Sequence, residues 1–255
     1  MDIVTFRTND RLTRINGPAS SQPLIDTLLS TFGTSHFYYV GKRIFDVLLS
    51  LIALIMFLPM IAVIGVLIKL DSKGSVLYSQ SRMGARRTRS GRRYLWIIET
   101  ISVYKFRTMY SGSTDAIHKD YVKEFCTGHV ARTSATTLLL KVPDDPRVTR
   151  LGKYLRKTSL DEIPQLLNVL LGNMSLVGPR PVPFYEVSHY KPEYFERFTA
   201  LPGMTGRWQV YGRGRVSFAT MMEMDIDYAR NPSLLMDIKL LLWTIPAVFA
   251  GKGAA

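Results

Sequence analysis

The apolar positions of this chain concentrate in one long segment. Between Ile44 and Ile68 the only charged or hydroxyl side chains are those of Asp46 and Ser50. About twenty consecutive apolar residues are enough for a helix to span the hydrocarbon core of a bilayer. A buried helix of a soluble core can also be apolar on every face, but the length of this segment favours the membrane. The pattern therefore predicts a membrane helix.

The features around this helix do not fit a simple crossing. Pro59 lies in the middle of the segment, where a proline removes a backbone hydrogen bond and kinks the helix. Positive residues flank both ends, with Lys42 and Arg43 before the segment and Lys69 after it, so the positive-inside rule gives no orientation. A re-entrant helix that breaks at Pro59 fits these features, although kinked spanning helices also carry proline. We expect a re-entrant helix over residues 41–73.

The N-terminal end of the chain shows no comparable apolar core. Residues 1–40 are mostly polar and contain several Gly, Pro and Ser residues, a pattern typical of loops and turns. They also lack the pattern of a secretory signal. We interpret residues 1–40 as a flexible polar tail that includes a short candidate helix over residues 24–32.

A second apolar helix is predicted between Pro232 and Phe249. Its apolar residues recur at helical spacing and are Leu234, Leu235, Ile238, Leu241, Leu242 and Ile245. Trp243 is typical of a membrane-interface anchor, whereas Asp237 and Lys239 interrupt the apolar run. The helix therefore either lies on the membrane surface or packs in the core of the globular part, and the pattern fits both.

Alternation in the middle of the chain predicts a strand. Tyr104–Met109 alternates after a β-branched apolar run. This places Lys105 and Arg107 on one face, where two cations could grip a pyrophosphate. A solvated strand face is the simpler interpretation of this run alone.

Composition narrows the classes of partner. The net charge is +13, which favours nucleic acid, anionic lipid headgroups or phosphorylated small molecules. The single cysteine, Cys126, excludes an intramolecular disulfide and a cysteine-based zinc site. A nucleic-acid binder would combine basic residues with interleaved aromatics in one module, whereas here the basic residues are spread over several motifs. We therefore expect no nucleic-acid partner.

The segment 155–165 is the most informative motif of the chain. Two adjacent carboxylates, Asp161 and Glu162, follow Arg156 closely. Carboxylates act as nucleophiles and metal ligands, and arginine binds phosphate with a bidentate geometry. The combination indicates a site where a carboxylate approaches an anionic phosphate together with a divalent metal.

A capping interpretation of the same segment is simpler when the segment is taken alone. Ser159 and Glu162 match the capping box S-x-x-E, and acidic residues complement a helix dipole. Pro164 also allows a cap one or two residues later. In each case Asp161 is predicted at a helix N-terminus, where anions bind.

Two further segments carry glycine, proline and arginine. In Gly178–Pro181 the prolines on both sides of Arg180 restrict its backbone and aim its guanidinium, although an ordinary loop has the same composition. The glycine-rich stretch 202–214 could cradle phosphate or stack a base on Trp208, and such loops alone are weak evidence.

Taken in order, these blocks resemble the bacterial sugar transferase family, the monotopic phosphoglycosyl transferases. The resemblance covers roughly residues 41–253 and corresponds to the minimal catalytic form. The matching blocks are Lys42-Arg43-x-x-Asp46, Lys105–Met109, Asp145–Gly152, Leu155–Gln165, Met174–Pro181 and Pro202–Gly206.

The resemblance implies a function. Members transfer a sugar 1-phosphate, here by default a hexose 1-phosphate, from a UDP-sugar to undecaprenyl phosphate, and UMP leaves. The reaction initiates exopolysaccharide, O-antigen or glycan assembly. The rival interpretation is a non-catalytic membrane scaffold of the same family, which the intact Asp161-Glu162 pair argues against.

The resemblance also implies roles for single residues. Asp161 matches the nucleophile that forms a covalent aspartyl-phosphosugar intermediate, and Glu162 matches its acidic neighbour. Asp237 matches a third acidic position, so the implied Mg²⁺ (or Mn²⁺) site comprises Asp161, Glu162 and Asp237. The remaining implied positions contact substrate phosphate or nucleotide or break the membrane helix: Lys105, Arg107, Arg156, Arg180, Pro181 and Pro59.

The expected fold is α/β and mostly α, anchored by one re-entrant helix, with interfacial amphipathic helices and a small β element near Lys105. Residues 74–255 are the predicted catalytic domain, which faces the cytoplasm from the bacterial inner membrane and ends in the interfacial helix. A homodimer and downstream glycosyltransferases are further candidate partners. A basic insertion at residues 85–93 is interpreted either as a solvated loop or as a contact to anionic membrane lipids.

Overall fold

The computed structural model describes residues 2–8, 11–17, 36–90, 93–127, 145–212 and 216–249. The strands are β1 (Asp2–Thr8), β2 (Arg11–Gly17), β3 (Leu77–Ser90), β4 (Arg93–Phe106), β5 (Ser175–Val177) and β6 (Gly203–Thr205). The α-helices are α1 (His36–Asp71), α2 (Ala116–Thr127), α3 (Arg150–Lys157), α4 (Gln165–Leu171), α5 (Phe184–Val187), α6 (Arg207–Tyr211), α7 (Phe218–Arg230) and α8 (Leu234–Phe249). Two 3₁₀ segments, Leu160–Glu162 and Pro192–Thr199, complete the fold.

The predicted membrane helix is α1, and it begins earlier than residue 41. Among the described residues it is the one helix that is long and apolar enough to cross a membrane. Pro59 lies inside α1, which continues as a single helix through this position instead of separating into two helices. Most of α1 exposes apolar side chains, whereas Lys42, Asp46 and Ser50 form a buried polar face at helical spacing.

Both ends of α1 are bonded to the globular part of the chain. Near its start, Arg43 Nη2 donates to the carbonyl of Leu170 at 2.7 Å, and Asp46 Oδ1 accepts from the backbone N–H of Leu176 at 3.1 Å. At its end, Arg107 Nη2 donates to the carbonyl of Ser72 at 2.6 Å. Carbonyls in the last turn of a helix have no intrahelical partner, so Arg43 and Arg107 satisfy the C-terminal ends of α4 and α1.

The predicted β element near Lys105 is part of a four-stranded sheet in a mostly helical fold. Strands β3 and β4 have 14 residues each and pair antiparallel from Leu77–Phe106 to Ser90–Arg93. Strand β1 adds to β4 through the pairing of Arg7 with Glu99, which gives a four-stranded order β2-β1-β4-β3. Residues 2–8 and 11–17 thus form two paired antiparallel strands in part of the region predicted as a flexible tail, and the candidate helix 24–32 lies outside the described residues.

The described part of the basic segment 85–93, residues 85–90 and 93, belongs to strands β3 and β4 and not to a solvated loop. Arg86 Nε lies 3.1 Å from Glu99 Oε1. The Arg87 guanidinium lies 3.8 Å from the ring centroid of Tyr39 and 3.9 Å from that of Tyr94. These cation–π contacts tie the hairpin to the start of α1, so Arg86 and Arg87 have partners within the protein.

One hydrophobic core joins α1 to the globular part. The buried side chains in it come from α1, β4, α4, β5 and α8 and include Ile64, Phe106, Val169, Val177 and Leu240. Helix α8 combines the two predicted environments, because Leu240 is fully buried whereas Leu235 and Trp243 are exposed.

Two glycines let the short strands β5 and β6 meet, since a Cβ on Gly178 or Gly203 would overlap the backbone of the other loop.

Candidate active site

A cavity of about 650 Å³ lies between the sheet, the 3₁₀ turn 160–162, the loop 178–181 and α2. Its volume falls within the range of roughly 300–1,000 Å³ typical of small-molecule sites. One wall is cationic. Apolar side chains also line the cavity, among them Ala53 and Phe57 of α1 and Leu241 of α8.

Asp161 and Glu162 lie at the centre of the cationic wall. Asp161 is buried, and Glu162 Oε1 lies 2.8 Å from Arg180 Nη2 and 3.4 Å from Lys105 Nζ. The structure therefore brings together three of the charged residues that were predicted from separate motifs. Two cations on one carboxylate oxygen hold the Glu162 side chain in a fixed orientation.

The capping-box prediction is wrong in its details. Ser159 has a left-handed backbone with φ 57°, and its hydroxyl does not cap the following turn. Leu160–Glu162 form one turn of 3₁₀ helix, and α4 begins only at Gln165. Pro164 explains this, because it has no N–H to donate to the Leu160 carbonyl and a continuous α-helix cannot form there. Asp161 thus lies in a tight turn between two helices.

Strand alternation places Lys105 in the cavity wall together with Arg82, a residue that the sequence reasoning missed. Lys105 pairs with Tyr78 across the hairpin, so its side chain shares a face with the alternate residues Gln80 and Arg82 of β3. All four line the cavity. Polarity alone could not have singled out this face, because Ser79 and Ser81 between these positions are polar as well.

The loop 178–181 is held from both sides, and this aims Arg180. The N–H of Gly178 donates to the Thr205 carbonyl at 2.8 Å. Behind the loop, Arg197 Nη2 donates to the Arg180 carbonyl at 2.9 Å and to Asp225 Oδ2 at 2.5 Å. Because Arg197 and Asp225 are buried, this pair fixes the backbone of Arg180. Pro181 also lines the cavity.

Arg156 reaches the cavity from α3. Its Nε donates to Thr108 Oγ1 at 2.9 Å, and α3 is seated against the chain that follows β4. A Cβ at Gly152 would overlap the Thr108 carbonyl, so the glycine is required for this close packing. Next to Arg156 in the cavity wall, Arg147 Nη2 lies 2.6 Å from Asp145 Oδ2.

Two predicted site residues serve other parts of the protein. Arg107 borders the cavity, but strand β4 ends at Phe106 and the guanidinium donates to carbonyls at the end of α1, including that of Ser72. Asp237 is fully buried and accepts from Lys42 Nζ at 2.8 Å and from Tyr228 Oη at 2.7 Å. The structure does not bring either side chain into the Asp161–Glu162 cluster.

The carboxylates in the cavity fit a metal ion whose other ligands come mainly from the substrate. Among the described residues no group of three or more His, Cys, Asp or Glu side chains could hold a metal ion. Mg²⁺ commonly binds one or two carboxylates and completes its shell with water and substrate phosphates. Asp161 and Glu162 offer adjacent carboxylates in a cavity large enough for a diphosphate, whereas Asp237 does not belong to this set.

Burial and charge set the protonation of the basic residues. Burial lowers the pKa of Lys105 to about 8, against the opposing effect of Glu162. The charge of Glu162 raises the pKa of Arg180 above its usual value. Near neutral pH the cationic wall is therefore charged, and Lys105 is the member that loses its charge first as the pH rises.

We predict that the pH profile of kcat/KM has an alkaline limb that is caused by deprotonation of Lys105. Lys105 is charged below pH 8 and neutral above it, so kcat/KM for an anionic donor should fall as the pH rises through about 8. This ratio reports groups of the free enzyme. In Lys105→Arg the charge persists and the limb should disappear from this range, and in Lys105→Met kcat/KM at pH 7 should be about tenfold lower.

The matched control for this limb is Lys153→Met, because Lys153 is exposed on α3. It should keep the wild-type profile. The measurement is the initial rate of nucleotide release at substrate concentrations well below KM, between pH 6 and 9.5. A limb near pH 8 that persists in Lys105→Arg would assign it to another group.

Comparison with known proteins places the chain in one family. The family model described as "Bacterial sugar transferase" matches residues 37–251. The exopolysaccharide production protein ExoY of Sinorhizobium fredii is 39% identical over 215 residues, which cover 84% of this chain and 88% of the relative.

Two longer relatives carry more specific names. The undecaprenyl-phosphate galactose phosphotransferase of Salmonella typhimurium is 36% identical over 84% of this chain and 41% of its own length. The undecaprenyl-phosphate glucose phosphotransferase of Komagataeibacter xylinus is 35% identical over 91% of this chain and 40% of its own length. These relatives agree with the resemblance that the sequence motifs carry.

Proposed function

The chain belongs to the bacterial sugar transferase family, and from this we propose that it transfers a hexose 1-phosphate from a UDP-sugar to undecaprenyl phosphate. Relatives are named for galactose and glucose transfer to this lipid carrier. The reaction would initiate assembly of an exopolysaccharide or a related glycan, as the name of the ExoY relative suggests.

The observation that carries the proposal is the cavity lined by both cationic and apolar side chains. Lys105, Arg156 and Arg180 surround the acidic pair, as a site for a nucleotide diphosphate requires. Phe57 of the membrane helix lines the same cavity, which suits an acceptor whose phosphate must reach the site while its hydrocarbon chain stays in lipid.

The proposed chemistry has two displacements at phosphorus. An oxygen of the Asp161 carboxylate attacks the β-phosphorus of the UDP-sugar, and the bond from that phosphorus to the bridging oxygen breaks, so UMP leaves with the electron pair. A phosphate oxygen of undecaprenyl phosphate then attacks the same phosphorus and releases the Asp161 carboxylate. The sum consumes no proton, and the soluble donor and the lipid acceptor need not be bound together.

We propose that Asp161 and Glu162 hold Mg²⁺ together with the donor phosphates. The ion would neutralise charge on the diphosphate. Lys105 and Arg180 orient Glu162, and Arg156 adds a cation beside the Asp161 carboxylate. The non-catalytic scaffold is the second candidate, and the survival of this complete cluster speaks against it.

We further propose that α1 enters and leaves the membrane on the cytoplasmic side of the bacterial inner membrane. Arg43 binds the end of α4, and Arg107, just after β4, binds the end of α1. Helix α4 and strand β4 are themselves joined, because Asn168 Nδ2 donates to the Ser102 carbonyl at 2.6 Å. A complete crossing would carry one end of α1 away from this unit.

Cysteine labelling tests this topology. In a Cys126→Ser background, Phe37→Cys and Lys73→Cys place a thiol at exposed positions at the two ends of α1. We expect a membrane-impermeant maleimide to label both in inverted inner-membrane vesicles and neither in intact spheroplasts. Labelling of one thiol from outside would establish a spanning helix.

The activity is tested with purified protein, Mg²⁺, undecaprenyl phosphate and a panel of UDP-hexoses. We expect release of UMP and formation of an undecaprenyl diphosphate sugar in equal amounts with at least one donor. A protein that releases no UMP with any donor would support the interpretation as a non-catalytic scaffold.

Contacts to anionic lipids, a homodimer and downstream glycosyltransferases stay predictions from the sequence.

A further inference from the structure

We propose that the cavity wall formed by His118 of α2 and Glu186 of α5 is the subsite for the sugar of the donor, with Tyr185 as the residue that positions His118. This inference rests on the proposed function and concerns the same cavity. It assigns a role to residues that the sequence motifs did not single out and that the two displacements do not use.

The first argument is the fixed orientation of the imidazole. His118 Nδ1 lies 2.5 Å from the Tyr185 hydroxyl, and the two rings meet edge to face with centroids 5.9 Å apart. His118 lines the cavity. Because Tyr185 occupies Nδ1, a ligand in the cavity meets the opposite nitrogen, Nε2.

The second argument is the fixed position of α2. Ahead of the helix, Arg147 Nη1 donates to the Thr114 carbonyl. Within it, Val122 and Phe125 are buried, and the Phe125 ring packs edge to face on Phe218 at 5.8 Å. The helix is therefore anchored at both ends, and His118 is presented from a fixed wall.

The third argument is charge. Burial and the nearby Arg82 lower the pKa of His118 to about 4, so the imidazole is neutral at physiological pH. A neutral imidazole is both a donor and an acceptor, which suits sugar hydroxyls, whereas the phosphates are served by Lys105 and Arg180. Glu186 adds a buried carboxyl group to the same wall and accepts from Tyr190 Oη at 2.9 Å.

The fourth argument is the position of Arg82, which lines the same cavity and is near both groups of side chains. Arg82 interacts electrostatically with Arg180 and Glu162, and also with Tyr185 and Glu186. The polar wall thus adjoins the cations that face the β-phosphate. In a UDP-sugar the sugar is bonded to that phosphate, whereas the ribose and base lie beyond the α-phosphate. The group that reaches this wall from the attacked phosphorus is the sugar.

The test compares binding of two ligands in an Asp161→Asn background, which binds donor without turning it over. UDP and the preferred UDP-hexose share the base, the ribose and both phosphates and differ by the sugar. We expect His118→Ala to raise the Kd of the UDP-hexose by about 10- to 100-fold and that of UDP by less than twofold. Tyr185→Phe, which removes only the hydroxyl, should show a smaller rise of the same kind.

Controls separate this inference from a folding defect and from the proposed function. His118→Gln keeps a hydrogen-bonding side chain, and His189→Gln alters an exposed histidine outside the cavity and should bind both ligands normally. Equal weakening of UDP and UDP-hexose, or no weakening of either, would overturn the sugar subsite. Failure of the unaltered protein to release UMP from any UDP-hexose would refute the proposed function instead.

Discussion

Asp161→Asn should reduce UMP release by about 10³-fold or more, because the loss of a nucleophile removes the first displacement altogether. The amide has nearly the size of the carboxylate, so the buried position of Asp161 should tolerate it. The measurement is UMP formation with saturating UDP-sugar, Mg²⁺ and undecaprenyl phosphate.

The same variant decides whether the reaction passes through a covalent intermediate. Without lipid acceptor, a donor labelled in its sugar should transfer label to the wild-type protein and release about one UMP per active site. Asp161→Asn should retain no label. Glu162→Gln keeps the nucleophile, so it should still acquire label, at a reduced rate because the partner of Lys105 and Arg180 has lost its charge.

An exposed acidic residue provides the matched control. Glu193→Gln changes a carboxylate on the surface and should leave both UMP release and labelling at the wild-type level. Normal UMP release by Asp161→Asn, with an unchanged melting temperature, would exclude Asp161 as the nucleophile. Label that persists in this variant would place the intermediate on another side chain.

Side chains that the sequence singled out by local patterns line one cavity in the structure. The Asp161-Glu162 pair was read from one contiguous run, and Arg180 from the prolines that flank it. Lys105 was found because strand periodicity is also a local signal. Each of these side chains lies in the cavity because its own segment directs it there.

Features that depend on distant contacts were not predictable in the same way. The role of Arg107 depends on where α1 ends, which only the packing of α1 on β4 decides. His118 lies in a helix without a motif, and it reaches the cavity because α2 packs against α5. The capping box failed for a local reason that was already visible, the missing N–H of Pro164.

Asp237→Asn should destabilise the fold by about 3–5 kcal/mol, since it removes the carboxylate that pairs directly with a buried ammonium. Asp237 Oδ2 accepts from Lys42 Nζ at 2.8 Å and from Tyr38 Oη at 3.1 Å, while Oδ1 accepts from Tyr228 Oη at 2.7 Å. An asparagine keeps one acceptor oxygen and directs an NH₂ group at these donors. This network joins the start of α1 to α8.

The expected melting temperature of Asp237→Asn in detergent is lower by roughly 10 °C. Removing the Lys42 ammonium as well, in Lys42→Met/Asp237→Asn, should recover about 2–3 kcal/mol relative to the sum of the single effects. The Mg²⁺ concentration for half-maximal activity should stay at the wild-type value in every folded variant, because Asp237 lies outside the cavity wall.

The opposite result, an unchanged melting temperature with a higher Mg²⁺ requirement, would identify Asp237 as a metal ligand. A variant that melts like the wild type but needs far more Mg²⁺ would mean that this carboxylate reaches the donor phosphates in the working enzyme. The structure argues for the first pattern, because moving Asp237 to the cavity would break three hydrogen bonds at once. It would also leave the buried Lys42 ammonium without its direct ion-pair partner, and this cost holds the carboxylate between α1 and α8.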